Sequence, residues 1–328
     1  MNYFFISKVL GLCLSLAFLT ACDKKDDEAP SIASIAVANP DFQVLEDAAI
    51  RGDVAIVLSN KNLNDPAGNY TVFAPTNAAF ARLGLVQAAD LDALQKPFLT
   101  NTLLYHVAGG LLPGSSLQPG GSSPSALSGL TRRYIKRGND LYVNGSKILA
   151  TDVKAANGVV HVIDKVLLAT GGNVVESAVA LQSGGAFVKP ELTFLVAAVL
   201  HCNLQGLLSQ PGNNYTVFAP TDQAFKDAGI PSIDAINQMD VAVLTGILAN
   251  HVLYNNAGTN LLLGDKFTSE LPENTAVPAF GGAQLQLGPF NNGTLTVKGP
   301  GNTAPANMVI PDVQCTNGVV HVIDKVLL

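Results

Sequence analysis

The sequence predicts two tandem domains, each built from both helices and strands. Two segments recur in the same order: NYTVFAPT stands at 69–76 and again at 214–221, and NGVVHVIDKVLL stands at 157–168 and again at 317–328. Each copy also contains helical apolar spacing, short apolar strands and glycine-rich turns. Because each copy is far longer than the unit of a solenoid, the repeat indicates two separate domains.

Each copy opens with a helical pattern. In the first copy the pattern is an apolar stripe at approximately helical spacing, formed by Phe42, Leu45, Ala49, Val54, Val57 and Leu58. In the second copy the corresponding segment, Leu192–Leu208, is more apolar. We therefore expect the first helix of the second domain to be the more fully buried of the two.

A short strand and further helices follow in each copy. The segment YTVFAP ends in proline, which cannot donate to a strand ladder. Thr76 and Thr221 come next and suit a helix N-cap, because a threonine hydroxyl accepts from the first free amides of a helix. A later helix carries a central histidine, His106 or His251. Short strands and an Asn-Gly turn then precede the last strand.

The second copy is longer than the first. His251 and His321 are separated by fifteen residues more than His106 and His161. The Gly/Pro/Asn-rich stretch Gly288–Pro311 predicts an enlarged loop that holds these residues. Such a loop is a candidate for partner recognition, since loops on rigid scaffolds commonly carry binding residues. An insertion that the surface tolerates without function is the alternative.

The N-terminus predicts a secretory signal. Lys8 precedes the apolar run Val9–Ala21, which is shorter than the roughly 20 residues that a membrane-spanning helix needs. The run ends in Leu19–Cys22, which resembles the lipobox of bacterial lipoproteins. That resemblance implies cleavage before Cys22 and acylation of this cysteine. An ordinary secretory signal followed by a chance cysteine is the alternative.

The predicted boundaries follow from the signal and the repeats. We expect a signal peptide over 1–21, a lipidated tether over 22–34, domain one over 35–169 and domain two over 172–328. The charged residues at 23–28 resemble the surface-export signal of lipoproteins in the Bacteroidetes group, and a solvated tether is the alternative. Lipid attachment at Cys22 predicts a cell-envelope protein, most simply at the outer membrane and exposed at the cell surface.

Composition excludes one class of partner. The net charge is −6 and the sequence has no long run of lysine and arginine, which argues against nucleic acid as a partner. Tryptophan is absent and aromatic residues make up 6% of the chain, few for a site that stacks on sugar rings or bases.

The repeated segments resemble the motifs of the fasciclin domain family. The first box is Thr71–Thr76 and Thr216–Thr221, the second box is Asn157–Asp164 and Asn317–Asp324, and a central Tyr-His pair stands between them. The motif residues are Thr71, Phe73, Pro75, Thr76, Asn157, Gly158, His161, Asp164, Thr216, Phe218, Pro220, Thr221, Asn317, Gly318, His321 and Asp324.

This resemblance implies a fold and a function. It implies two α+β domains, each a wedge of β-sheets with several helices packed on it, and it implies an adhesion module. In the family the Tyr-His region is implicated in receptor binding, which makes Tyr105 and His106 candidate contact residues. Domain two departs from the pattern, because Asn250 stands where tyrosine would precede His251.

The polar residues of the second box are interpreted as structural. Side chains alternate along a strand, so His161 and Asp164 point to opposite faces and cannot form a catalytic dyad. The same holds for His321 and Asp324. We expect neutral buried histidines and aspartates that accept backbone amides. No hydrolase, phosphate-binding or dinucleotide motif occurs, so we predict no enzyme activity and no cofactor.

Two cysteines remain after the signal and the lipid anchor. Cys202 and Cys315 both lie in domain two, in a compartment outside the cytosol that permits disulfides. We favour a disulfide, with two buried free thiols as the alternative. A zinc site that uses these cysteines with His201 and His321 is a further alternative, although neighbouring ligands such as 201 and 202 rarely converge.

Three classes of function stay open at this point. The leading hypothesis is a non-enzymatic lipoprotein that contacts a surface protein, matrix or polysaccharide through both domains. A glycan- or small-ligand-binding accessory lipoprotein is the alternative, and it predicts a concave apolar pocket with convergent polar groups. A hydrolase would require a nucleophile and a base within hydrogen-bond reach.

Overall fold

The computed structural model describes residues 29–182, 191–254 and 264–328. The predicted signal peptide and Cys22 lie outside the described residues. Both domains are α+β, as predicted, and each is a wedge of β-strands with helices packed on it. None of the described helices has the length and apolar character that a membrane crossing requires.

Domain one begins with helices and ends with strands. Its helices are α1 (Ile32–Ala38), α2 (Gln43–Arg51), α3 (Ala55–Ser59), α4 (Asn77–Ala81) and α5 (Lys96–Tyr105). Its strands are β1 (Tyr70–Pro75), β2 (Val107–Gly109), β3 (Ser122–Pro124), β4 (Thr131–Arg137), β5 (Asp140–Val143), β6 (Ser146–Ala155) and β7 (Gly158–Ile163). They form one sheet in the order β2-β1-β7-β6-β5-β4-β3.

Domain two repeats this plan. Its helices are α6 (Val174–Gln182), α7 (Thr193–His201), α8 (Gln205–Leu208), α9 (Asp222–Asp227), α10 (Ile233–Gln238) and α11 (Val241–Ala249). Its strands are β9 (Tyr215–Pro220), β10 (Val252–Tyr254), β11 (Ala276–Pro278), β12 (Gln284–Leu287), β13 (Thr296–Lys298), β14 (Ala306–Cys315) and β15 (Gly318–Ile323), in the sheet order β10-β9-β15-β14-β13-β12-β11.

The connection between the domains is part of the second sheet. Strand β8 (Leu168–Ala169) pairs in parallel with β14 of domain two, with Leu168 opposite Val313. Beyond it, the backbone of Thr170 donates to the carbonyl of Gln314. The residues at the predicted boundary between the domains are therefore fixed by hydrogen bonds to domain two.

In each copy the helical segment that the apolar pattern predicted is broken into two helices, and another helix, α1 or α6, precedes it. In domain one, Gly52–Val54 separates α2 from α3, and in domain two, Cys202–Leu204 separates α7 from α8. The expectation of fuller burial for Leu192–Leu208 is wrong, since fewer of its residues are buried than in the corresponding segment 42–58 of domain one, and Leu200 and Leu207 are exposed. These apolar residues border a cavity instead of filling the core.

The N-terminal boundary of domain one lies earlier than the sequence suggested. Helix α1 begins at Ile32, where Ser31 caps it by accepting from the amide of Ser34. Ile32 is buried in the core of domain one. The segment that can act as a tether therefore ends before Ile32.

The extra length of domain two is divided among three loops. The loop 299–305 between β13 and β14 replaces Asn144 and Gly145 of domain one, and the loop 288–295 between β12 and β13 replaces residues 138–139. Residues 255–275, between β10 and β11, are also more numerous than residues 110–121 of domain one. The predicted stretch Gly288–Pro311 therefore contains two enlarged loops, but it is not a single loop, because β13 and the start of β14 lie within it.

Candidate functional site

The two sequence boxes lie side by side at the centre of each sheet. Strand β1 pairs in parallel with β7, which places Phe73 opposite His161. Strand β9 pairs in the same way with β15, which places Phe218 opposite His321. The aromatic ring centroids are 5.3 Å apart in domain one and 5.8 Å apart in domain two. The repeat in sequence is therefore a repeat of one structural unit.

The histidines of the second box are buried and bonded to backbone on both nitrogens. His161 Nδ1 accepts from the amide of Asp152 at 3.3 Å, and its Nε2 donates to the carbonyl of Leu112 at 2.8 Å. His321 does the same with Asp312 and Lys266. Burial is the main cause that lowers the pKa of both histidines. Both rings are neutral, and neither has a nitrogen free to act as a base.

The aspartates of the second box accept backbone amides. Asp164 Oδ1 accepts from the amide of Lys147 at 2.7 Å and from the Ser146 hydroxyl at 3.1 Å. Asp324 Oδ1 accepts from the amide of Asn307 at 2.7 Å. In each domain the bonded partners of histidine and aspartate are different residues, so the two do not form a dyad.

The Asn-Gly turn ties the first helix of each domain to the sheet. Asn157 accepts from the amide of Ile32 at 2.9 Å, and Asn317 accepts from the amide of Val174 at 2.9 Å. A Cβ added to Gly158, whose φ is +148°, would lie 1.8 Å from the carbonyl oxygen of Tyr70. The turn therefore requires glycine because β1 approaches it closely.

The central Tyr-His pair is inside the molecule. Tyr105 is fully buried, and its hydroxyl accepts from the side chain of Asn144 at 2.6 Å. His106 donates from Nδ1 to the carbonyl of Thr102 and accepts at Nε2 from the amide of Leu167. Burial lowers the pKa of His106 to about 4. The prediction of Tyr105 and His106 as contact residues is corrected, because a partner cannot reach buried side chains.

The histidine of domain two has the same role without the tyrosine. His251 donates from Nδ1 to the carbonyl of Ile247 and accepts at Nε2 from the amide of Leu327, each at 2.8 Å. Burial lowers its pKa to about 4. In both domains the central histidine thus joins the end of a helix to the segment that follows the last strand.

The predicted disulfide is corrected to two buried free thiols. The sulfur of Cys202 lies 3.9 Å from the carbonyl of Val241, at the start of α11. Cys315 lies at the end of β14, beside the hydroxyls of Ser177 and Thr170. Burial raises the pKa of the Cys315 thiol to about 12, so this thiol stays protonated. The two cysteines have different neighbours because α7 and β14 belong to different parts of domain two.

Metal ligation finds no support in the described ranges. No group of three or more His, Cys, Asp or Glu side chains there is arranged to hold a metal ion. The zinc alternative therefore has no cluster among these residues.

Comparison with known proteins gives the family. The fasciclin domain model matches residues 53–169 and 190–328. The chain belongs to the fasciclin domain family. Protein sll1483 of Synechocystis is 38% identical over 144 residues, which cover 43% of this chain and 75% of that protein.

Other relatives carry the same domain in different settings. Transforming growth factor-beta-induced protein ig-h3 of Sus scrofa is 30% identical over 269 residues, which cover 80% of this chain but 35% of ig-h3. Cell surface glycolipoprotein MPB83 of Mycobacterium bovis is 35% identical over 142 residues, 42% of this chain and 60% of that protein. A solved FAS1 domain pair from the insect cell adhesion molecule fasciclin I covers 90% of this chain and 95% of its own at 18% identity and a TM-score of 0.39.

A buried ion pair joins the two fasciclin domains, and sequence reasoning missed it. Lys165 of domain one donates to Asp312 of domain two at 2.6 Å, to the carbonyl of Gly293 at 2.7 Å and to the Thr268 hydroxyl at 3.1 Å. The Lys165 and Asp312 side chains are only 9% and 10% exposed. Burial opposes ionisation of Asp312, but the ammonium of Lys165 and the backbone amide of Thr268 outweigh it and hold the pKa of this carboxyl below its ordinary value.

Strand β4 supplies a second set of contacts between the fasciclin domains. Along this strand Arg132 points inward and donates to the carbonyls of Tyr105 and Val107, whereas Arg133 and Arg137 point toward domain two. Their partners there are the acidic residues Asp265, Glu270 and Glu273. Because side chains alternate between the two faces of a strand, neighbouring arginines of β4 have different partners. A count of basic residues does not show this difference.

The stretch predicted as a recognition loop also faces domain one. Phe290 lies 4.0 Å beneath the guanidinium of Arg137 and meets the ring of Tyr142 edge-on at 5.9 Å. Arg82 donates to the backbone carbonyl of Asn292 at 2.8 Å. This part of the predicted loop therefore serves the contact between the domains.

Proposed function

We propose that the protein is a non-enzymatic, lipid-anchored protein of the bacterial cell envelope that mediates adhesion or matrix contact through its two fasciclin domains. The proposal rests on one observation: the side chains of the sequence motifs form their hydrogen bonds inside their own domain. The histidines and aspartates of both second boxes bond to their own backbone, which leaves the exposed surface as the functional part.

One relative supports a role at the cell surface. The name of MPB83 describes a cell surface glycolipoprotein, and this chain has a lipobox-like Leu19–Cys22. A surface protein or polysaccharide is the partner that we propose, and membrane attachment is through acylated Cys22. We place the anchor in the outer membrane, with the domains exposed to the medium.

Three measurements test this proposal. Cys22→Ser should abolish acylation, and the protein should then leave the membrane fraction. Proteinase added to intact cells should remove the wild-type domains while a periplasmic control protein survives. Attachment of cells to a matrix-coated surface should fall when the wild-type protein is deleted and should return with its re-expression at equal abundance. A processed Cys22→Ser protein that still partitions with membranes would contradict the anchor.

Small-ligand binding is the second candidate function, and a cavity in domain two favours it. This cavity is apolar and none of its described lining residues has a charged side chain, which suits an apolar ligand far better than a glycan.

A further inference from the structure

Domain two contains an apolar cavity of about 310 Å³. Small-molecule sites commonly have volumes of roughly 300–1,000 Å³. It lies between α6, α7 and α11 on one side and β9 and β10 on the other. Its walls are mostly aliphatic, among them Val175, Val196, Val199, Leu204 and Leu248. The volume is large enough for a ligand and the walls offer it apolar contact.

The opening of the cavity is apolar as well. Phe280 is 54% exposed and stands edge-on to Tyr254, with ring centroids 5.6 Å apart. Val179, Leu200 and Leu207 are also exposed and border the cavity. Isolated apolar residues on a surface are ordinary, but a group around a cavity is typical of a binding site. An apolar ligand that extends out of the cavity would still contact apolar side chains at the opening.

Polar atoms at the border are already bonded to one another. The side chain of Asn213 donates to the Tyr215 hydroxyl at 2.8 Å, and that hydroxyl donates to the carbonyl of Leu207 at 3.0 Å. His251 is neutral and bonded on both nitrogens. No described lining residue offers a charge to an ionic head group.

Domain one provides a natural comparison. Its corresponding cavity lies behind α1 and has a volume of about 170 Å³, and Glu46 is among its lining residues. The two cavities are equivalent because Asn157 and Asn317 bind the first amides of α1 and α6 in the same way. This register makes Ala36 of α1 the counterpart of Ala178 of α6, and each lines its own cavity.

We propose that the cavity of domain two binds a single unbranched acyl chain, with the head group left in solvent. Aliphatic walls, an apolar opening and the lack of a charge among the described lining residues fit a flexible hydrocarbon chain whose head is not recognised. This inference rests on the second candidate function, small-ligand binding, for which it names the ligand, and it does not depend on adhesion. The chain could come from a free fatty acid or from a membrane lipid, and the two sources can be distinguished.

The test uses the full mature chain with Cys22→Ser, so that its own lipid is absent. Calorimetric titration would compare octanoic, decanoic, dodecanoic and tetradecanoic acids below their micelle concentrations. Affinity should rise about fourfold per added methylene until the cavity is full, the factor expected from burial of one CH₂. Dodecanol should bind as tightly as dodecanoic acid, because no lining charge recognises the carboxylate.

Matched variants locate the site. Ala178→Trp should fill the cavity of domain two and abolish binding, whereas Ala36→Trp should fill that of domain one and leave binding unchanged. Thr245→Phe, which fills the same cavity from α11, provides a second variant if Ala178→Trp does not fold. Equal loss from Ala36→Trp would overturn the assignment to domain two.

The remaining experiments distinguish the two sources of the acyl chain and test competing ligands. Vesicles of phosphatidylethanolamine and phosphatidylglycerol should retain the protein only if membrane lipid supplies the chain, and Ala178→Trp should then release it. Uptake of free acid without vesicle binding would identify free fatty acid as the source. Failure of every acid to bind, or tighter binding of indole than of dodecanoic acid, would overturn the proposal.

Discussion

Domain one and domain two place an aspartate at the same irregular position of the same strand, but the two side chains have different roles. Asp152 and Asp312 both adopt positive φ, at +63° and +67°, and both donate their amide to the histidine of the second box. The carboxylate of Asp152 is exposed and accepts the amide of Gly114. The carboxylate of Asp312 is buried and binds Lys165 of the other domain.

The difference shows how a repeated motif acquires a new role without a change in its own residues. Both domains have the same histidine, the same backbone turn and the same aspartate. Thr268 of domain two donates to both carboxylate oxygens of Asp312, and the approach of domain one brings Lys165 to within 2.6 Å, which makes this aspartate an anchor between the domains. The local motif sets the backbone, and the neighbouring domain determines the role of the side chain.

The sharpest test of this comparison removes each aspartate in turn. Asp312→Ala should lower the free energy of unfolding by about 3–5 kcal/mol, because it leaves the Lys165 ammonium buried without its counter-ion. Asp152→Ala should cost far less, since its carboxylate is in water. Chemical denaturation of the full chain measures both.

A double variant separates the charge from the packing. Lys165→Met with Asp312→Leu should recover most of the stability, because a buried ion pair can be replaced by apolar side chains of similar size. Equal losses in the free energy of unfolding from Asp152→Ala and Asp312→Ala would contradict the different roles of the two aspartates.

The central histidines predict a dependence on pH that both domains share. Burial lowers the pKa of His106 and His251 to about 4 in the folded chain, against 6.5 for an ordinary histidine. The unfolded chain therefore binds protons that the folded chain does not between pH 6.5 and pH 4. Stability should be full above pH 6.5 and should fall as the pH drops, by about 3 kcal/mol per histidine.

The measurement is the free energy of unfolding as a function of pH. The free energy of unfolding of His106→Gln and of His251→Gln should each change less steeply between pH 6.5 and pH 4 than that of the wild type, because each variant lacks one titrating histidine. This holds whatever the effect of the substitution at neutral pH. His161 and His321, whose pKa values are also lowered by burial, should supply the rest of the slope. A stability that is the same at pH 7 and pH 4 would contradict neutral, buried histidines.

The smallest expected effect concerns the last aspartate of the second box. Asp164 accepts both an amide and the Ser146 hydroxyl and lies 3.6 Å from Arg82, whereas Asp324 is bonded only to Asn307 by the contacts described. Asp164→Ala should cost about 2 kcal/mol and Asp324→Ala about 1 kcal/mol, because an unpaired amide costs less where water can reach it. Thermal melts of the full-length variants, with Asp164→Asn as the control that keeps an acceptor, would show the order.

Local features of this fold could be predicted from the sequence. The hydroxyls of Thr76 and Thr221 accept the amides of Ala79 and Ala224, as an N-cap requires. The opposed faces of His161 and Asp164 follow from strand geometry alone. These predictions succeed because they depend on residues within a few positions of one another.

Features that depend on distant residues were missed or wrong. Lys165 and Asp312 are far apart in sequence, and nothing near either residue indicates the other. The disulfide was inferred from compartment and cysteine count, which say nothing of where α7 and β14 lie. Composition indicates two of the three enlarged loops of domain two, but the two histidines that bound the insertion enclose a whole set of strands, so their spacing does not show how the extra residues are divided.

The parallel pairing of β8 with β14 has a mechanical consequence. A slack linker would stretch under load and let the two domains turn independently. Here a force that pulls the domains apart acts on hydrogen bonds between Leu168–Ala169 and Val313–Gln314, which lie side by side. The Lys165–Asp312 contact bears the same load close by. Tension applied to one domain should therefore be transmitted to the other domain through a rigid connection.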